Sequence, residues 1–232
     1  LDEIWQSVRQ ACRLAMEEGS KSGFKPICLE TIGITNQRET LCAFNRKDGN
    51  PLMRAIVWQC KRSTEICEQL RLDGCEQEVR SKTGLVLDPY FTGSKIAWTM
   101  QNRPEVAKLV HSGQAVLGTI DSYLLHRLTG GVTFATDASN ASRTMLVDLE
   151  KGRYDSSLMD MMGVPSESCL PEIRDSAGDF GHTKGLDFIP DGVPINGILG
   201  DQQAAMAGQS CFNIGEAKCT YGTGAFLLVN MG

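Results

Sequence analysis

Three short stretches of this chain carry side chains that can move a proton, grip hydroxyl groups or hold an anion. The first is Gly197-Ile198-Leu199-Gly200-Asp201-Gln202-Gln203-Ala204-Ala205-Met206. An apolar run ends at a glycine, and a carboxylate and two carboxamides follow at the head of a small-residue segment. The pattern predicts a strand-to-helix junction with Asp201 and Gln202 at the strand's C-terminal edge. Open α/β sheets bind ligands there, and the N–H groups of the following helix favour anions. The plain alternative is that Asp201 caps the helix, which accounts for the stretch taken alone. The second stretch is Glu216 to Val229, where strand-like residues lead into Gly222-Thr223-Gly224 and out again, as in a hairpin with a glycine turn. A dinucleotide or Walker-type loop would need a helix after the glycines, and none is predicted. What is left is either an ordinary turn or a backbone that comes close to phosphate, with Thr223 and exposed N–H groups as donors. The third is Arg38-Glu39, adjacent groups that can donate to and accept from neighbouring hydroxyls of a polyol, or stand as a solvated ion pair.

The elements that must position these groups follow from periodicity and breakers. Residues 27 to 35 form a β-rich apolar run that places Arg38 and Glu39 just past a strand end, and 40 to 44 resumes a strand before Lys47-Asp48-Gly49-Asn50-Pro51. Arg54 to Trp58 reads as the next strand, with Trp58 either in the core or at a site edge, its ring packing on a small ligand. A helix carrying Ile66 and Leu70 follows. The turn-rich connector 82 to 91 presents Asp88 and Tyr90, and helices are predicted over 92 to 102 and from Pro104. Residues 115 to 118 read as a strand and 119 to 128 as a helix. A short methionine-rich helix over 155 to 162 reads as core. Before all of these, Trp5, Val8, Cys12 and Ala15 recur at helical spacing, with Gly19 as the expected stop.

Composition narrows the classes of function. The chain has 232 residues, 41% of them hydrophobic, a net charge of −5 and nine cysteines. That is enough for a sizeable core, and the absence of a basic cluster argues against a nucleic-acid partner. No apolar run reaches membrane-spanning length and no signal-peptide pattern opens the chain, so a soluble, cytoplasmic protein is expected. The cysteines form no C-x-x-C pair, so reduced and mostly buried thiols are expected rather than zinc or disulfides. Asn140-Ala141-Ser142 matches a glycosylation acceptor, incidental without a secretory signal.

The order of the motifs says more than any one of them. I-G-I-T-N-Q-R-E-T at 32–40, A-I-V-W-Q at 55–59, K-T-G-L-V-L-D-P-Y-F at 82–91, N-A-S-R-T-M-L at 140–146, G-D-Q-Q-A-A at 200–205 and T-Y-G-T-G at 220–224 together resemble the glycerol kinases of the FGGY carbohydrate kinase family. The resemblance covers nearly everything from about residue 27 onward. It implies an α/β fold, an actin-like, ribonuclease H-like domain with a mixed β-sheet flanked by helices, closing with a second such domain on glycerol and ATP with Mg2+. By position, Arg38, Glu39, Trp58, Tyr90, Asp201, Gln202 and Phe226 correspond to the glycerol pocket, and Asp201 to the general base that takes the proton of the terminal hydroxyl. Gly222, Thr223 and Gly224 correspond to the turn that holds the ATP phosphates.

In this family a first phosphate-binding hairpin, whose aspartate helps hold Mg2+, precedes the stretch that Leu1 begins, and a nucleotide-binding domain follows the stretch that Gly232 ends. The expectation is therefore that residues 1–232 are the substrate-side N-terminal domain, truncated at its start and inactive alone, of a homo-oligomeric (dimeric or tetrameric) kinase making sn-glycerol 3-phosphate. Gly181 to Pro190 carries no convincing version of the family's regulatory basic loop or phosphorylated histidine. Two other readings stay open: a family member acting on another polyol or a sugar such as xylulose, and a non-catalytic ligand-binding module of the same fold.

Overall fold

The computed structural model describes residues 1–25, 29–222 and 224–232. Helix α1 (Asp2–Lys21) buries Trp5, whose ring meets Phe188 edge-on with centroids 5.7 Å apart. It runs past Gly19, the predicted stop. The terminator is Gly23, at φ 84°: its N–H donates to the Ser20 carbonyl at 3.1 Å and that of Phe24 to the Gly19 carbonyl at 2.9 Å. A glycine ends a helix where it can turn left-handed and close the last carbonyls.

The strand predicted over 27–35 is observed as β1 (Ile32–Asn36), while Ile27 and Cys28 lie outside the described residues. Next comes β2 (Cys42–Asn45). Arg54 to Trp58 does not form the predicted strand. Ile56 exchanges two 3.0 Å backbone bonds with Leu41 as an isolated bridge, and the chain turns away at Trp58 and Gln59 before a second rung can form. Helices α2 (Thr64–Leu72), α3 (Glu76–Thr83), α4 (Thr92–Asn102) and α5 (Pro104–His111) follow, with β3 (Ala115–Gly118) and α6 (Ile120–Leu128). Pro104 opens α5, a position where its missing N–H costs nothing. The remaining elements are β4 (Ala135–Asp137), α7 (Ala138–Ala141), β5 (Val147–Asp148), β6 (Arg153–Tyr154), α8 (Ser156–Met161), β7 (Glu172–Arg174), β8 (Ile195–Gly200), α9 (Asp201–Gly208), β9 (Ala217–Tyr221) and β10 (Ala225–Val229).

Strands pair in both orientations, as the expected mixed α/β fold requires. Pairs β1/β8 and β4/β7 are parallel, and β2/β3, β5/β6 and β9/β10 antiparallel. Among the described residues the ladders join strands two by two rather than in one continuous sheet. One apolar cluster, including Leu41, Ile96, Leu117 and Leu146, lies under α4 and α5; a second, with Trp5, Phe44, Tyr123 and Ile195, joins α1 and α6 to β1 and β8. The buried Met159 and Met162 belong to the first cluster, as the sequence predicted for a core helix. The eight cysteines among the described residues are free thiols, but only Cys42, Cys67 and Cys169 are buried, fewer than expected. No helix among them is long and apolar enough to cross a membrane.

Behind the C-terminal end of β1 lies a buried polar cluster. Asn36 and Asn140 exchange side-chain amide bonds of 3.0 and 3.1 Å, and Asn140 also donates to Asp137 at 2.8 Å. A glycan acceptor must reach solvent, and Asn140 is fully buried, so its glycosylation match has no structural meaning. Asp121 accepts from the hydroxyls of Thr119 and Thr136, each at 2.5 Å. Burial pushes its carboxyl up to about 6, against the pull of those two hydroxyls and with a smaller push from Asp137. A carboxyl whose folded value lies above its unfolded one, near 3.9, binds more protons folded than unfolded between the two. Stability from this group is therefore present at low pH and lost as pH rises through about 6. The urea midpoint of Asp121→Asn relative to the natural protein should rise between about pH 4 and 6.5. A difference that stays flat over that range would show that Asp121 is ionised throughout.

Candidate active site

The parallel register of β1 and β8 sets Asn36 opposite Gly200, so both chains leave the same edge at the same height. Gln37-Arg38-Glu39 continue from one strand and Asp201-Gln202 from the other. That edge is the C-terminal one of both strands, where α/β folds gather ligand-binding groups. Gly200 caps α9 and no side chain makes a cap bond there, so Asp201 stands in the first turn rather than capping it. Its Oδ1 accepts the Gln202 N–H at 2.8 Å and faces Arg38 Nε at 3.3 Å. The Asp201 side chain keeps 44% of its surface exposed against 6% for Arg38, so the carboxylate is reachable and the guanidinium is its buried support.

Arg38 and Glu39 do not act as a simple adjacent pair. Their closest approach is 4.0 Å, Arg38 Nη1 donates to Gln203 Oε1 at 3.2 Å, and Glu39 Oε1 accepts from Arg143 Nε at 2.8 Å. Glu39 adopts φ 61°, a left-handed backbone that is strained for a residue with a side chain and that clusters at functional sites. Burial raises the Glu39 carboxyl above the usual carboxylate range, opposed by Arg143, Arg38 and Lys95. Lys95 is fully buried, donates to the Tyr90 carbonyl, and is lowered to about 8, again chiefly by burial. Gln202, also buried, takes a hydrogen bond from Lys218, whose ammonium reaches Thr220 Oγ1 at 2.7 Å as well.

An aromatic wall completes the group. Trp58 meets Tyr90 at 5.6 Å and Phe226 at 6.3 Å, both edge-on, and the Arg143 guanidinium lies 5.9 Å from the Tyr90 ring. The Tyr90 phenol is raised first by burial and then by the charge of Glu39, with Arg38, Arg143 and Asp201 also acting on it. One tyrosine thus feels all four charges. Trp58 and Tyr90 also border an open cleft of about 570 Å³ with Cys60, Leu87, Asp88 and Pro89. Arg38, Asp201 and Phe226 do not line that cleft, so its size alone does not locate the chemistry.

The hairpin is present as predicted, with Gly222 N–H on the Gly224 carbonyl at 3.0 Å. A Cβ at Gly224 would stand 2.9 Å from the Phe226 ring, so the turn and the aromatic wall are one packed unit. Thr223 lies outside the described residues. Of the residues singled out from sequence, the structure gathers Arg38, Glu39, Asp201 and Gln202 at one edge, with Trp58, Tyr90 and Phe226 beside them. Sequence reasoning gave no role to Arg143, Lys95 or Lys218. Arg143 was visible within N-A-S-R-T-M-L, and Lys95 stands as a charge within an otherwise buried stretch of α4, whereas Lys218 lies on a strand whose neighbours are exposed and carried no such signal.

With this geometry in hand, the comparisons with known proteins are decisive at the family level. The model of the FGGY family of carbohydrate kinases, N-terminal domain, matches residues 1–208. The chain belongs to the FGGY family of carbohydrate kinases. It is 52% identical to a glycerol kinase of Bdellovibrio bacteriovorus over 231 residues and 47% identical to one of Myxococcus xanthus over 232, spanning 100% of this chain and 46% of each relative. Among solved structures, Plasmodium falciparum glycerol kinase with ADP superposes with a TM-score of 0.92 at 38% identity, over 98% of this chain and 45% of that one. Xylulose kinase from Rhodospirillum rubrum, at 18% identity and TM-score 0.87 over 98% of this chain and 45% of its own, shares the fold. This FGGY chain thus spans under half the length of the relatives it matches.

Gly200 gives this site a sharp steric test. A Cβ there would stand 2.6 Å from Arg38 Cδ and 2.8 Å from Cγ, atoms in the middle of a buried side chain. In the whole protein, Gly200→Ala should displace the guanidinium from Asp201 and lower kcat/KM by roughly 10²-fold, the scale of a 1 Å misplacement. Overpacking should cost about 1–3 kcal/mol of stability. Kinetics and urea unfolding check both, and unchanged kinetics would show that Arg38 placement is not critical.

Proposed function

We propose that the whole protein transfers the γ-phosphoryl group of ATP to a terminal hydroxyl of glycerol, giving sn-glycerol 3-phosphate. The observation that carries this reading is the partly exposed Asp201 carboxylate, held by the buried Arg38 at the shared edge of β1 and β8. The names of the more identical relatives support the acceptor, and the ADP in the Plasmodium structure supports the nucleotide. In this reading Arg38, Glu39, Tyr90 and Gln202 bind the hydroxyls, and Trp58 and Phe226 pack on the carbon chain. Asp201 takes the terminal hydroxyl proton as that oxygen bonds to the γ-phosphorus and the bond to the β-phosphate oxygen breaks, releasing ADP. Gly222, Thr223 and Gly224 hold the phosphates; the close fit of Gly224 against Phe226 is consistent with a turn that brings donor and acceptor together. Mg2+ is commonly bound through one or two carboxylates together with substrate phosphates, so in this reading it would come with the phosphates of ATP. A cytoplasmic homo-oligomer with no nucleic-acid or membrane partner goes with this assignment.

Asp201→Asn tests the mechanism. The variant keeps shape and hydrogen bonding but loses the base, so kcat should fall by about 10²–10⁴-fold while glycerol still binds by calorimetry. Normal turnover would remove Asp201 from the chemistry. Trp58→Ala should mainly raise the glycerol KM with kcat little changed, because packing serves ground and transition states alike. Assays of the natural protein against glycerol, pentoses and pentitols decide the acceptor, and a pentose preferred over glycerol would overturn the assignment.

A further inference from the structure

Lys218 is 3% exposed on a strand whose neighbours Ala217 and Cys219 face solvent. Its ammonium turns inward to two neutral oxygens, Gln202 Oε1 and Thr220 Oγ1, and no ion pair among the described residues includes it. An ammonium taken out of water without a carboxylate partner is unfavourable, and apolar side chains commonly serve packing as well or better. Packing is therefore a poor account of this lysine. Its contacts supply a better one.

An ammonium has three donors and no acceptor. The Gln202 atom that it meets must therefore be the carboxamide oxygen, which turns the NH2 of Gln202 away from Lys218. A carboxamide is nearly symmetric in shape, and without an obligate donor on one side it can rotate to offer either end. The backbone N–H of the same Gln202 is held by Asp201 Oδ1 at 2.8 Å, so amide and carboxylate sit side by side at the head of α9. We propose that Lys218 is a positioning residue of the acceptor site, fixing the Gln202 carboxamide with its NH2 as a donor to an acceptor hydroxyl. The same contact ties β9, which leads into the Gly222 to Gly224 turn, to the helix that begins with Asp201. This inference rests on the acceptor-site reading of Asp201 and Gln202 above.

The test is a double-mutant cycle in the whole protein with Lys218→Met, Gln202→Ala and the two combined. The readouts are kcat, acceptor KM, acceptor binding by calorimetry and melting temperature. If Lys218 acts through Gln202, each single change should raise acceptor KM roughly three- to tenfold, the worth of one neutral hydrogen bond. The double variant should then be no worse than the poorer single, because the two act as one unit. Additive losses, or an unchanged KM in Lys218→Met, would overturn the proposal. Gln202→Glu separates orientation from support of the fold: its carboxylate pairs with Lys218 but has no NH2 to donate. It should keep or raise the melting temperature while losing acceptor affinity, and wild-type affinity would overturn the proposal even if Lys218→Met does not fold. Should the natural protein prefer an acceptor other than glycerol, the glycerol assignment falls and the cycle is run on that acceptor. A protein that phosphorylates none of them overturns both.

Discussion

The parallel pairing of β1 with β8 is the constraint on which the site depends. Its register places Asn36 against Gly200, and Arg38, Glu39, Asp201 and Gln202 follow within two or three residues of those two positions. A slip by one residue would reverse the side chains' faces and separate Arg38 from Asp201. The register is held from both sides. The Asn36 and Asn140 amides lock behind β1, and Ser139 Oγ accepts the Gly200 N–H at 2.8 Å at the end of β8. The short helix α7 thus pins both strands, and Asp137 caps it through the Ser139 and Asn140 N–H groups.

The charges at that edge are placed in a graded way. Arg38, Glu39 and Lys95 are buried while Asp201 is half exposed. Burial disfavours the charged form of Glu39 and of Lys95 alike, moving one up and the other down, and each is opposed by the other's charge. A buried charge is tolerated when it is paired and hydrogen-bonded, and Arg143 supplies that bond to Glu39 at 2.8 Å. The outcome is a scaffold of buried charges beneath one carboxylate left open to solvent.

The aromatic wall binds three otherwise independent segments. Trp58 comes from the turn that ends a failed strand, Tyr90 from the connector before α4, and Phe226 from β10. The failure of 54–58 to extend its pairing beyond the single bridge at Ile56 is what frees Trp58. A residue continuing a ladder alternates faces, whereas one in a turn can aim its ring along the edge toward Tyr90 and Phe226.

What the sequence by itself determined is local. Proline at 104, the glycine turn at 222–224 and the run of apolar residues ending at Gly200 mark α5, the β9/β10 hairpin and the β8/α9 junction, because backbone restriction and periodicity act within a few residues. The types Arg38, Glu39 and Asp201 at strand ends also marked a candidate site, and the ordered motifs marked the family. What only the tertiary structure decided are the partners across long separations. Glu39 meets Arg143 rather than Arg38, Lys218 meets Gln202, and Asn36 meets Asn140, pairs separated by 104, 16 and 104 residues. Local pattern carries no information about which of several distant polar groups will share a buried space. That choice is made by strand register and core packing, which bring such groups within hydrogen-bond reach only after the chain has folded.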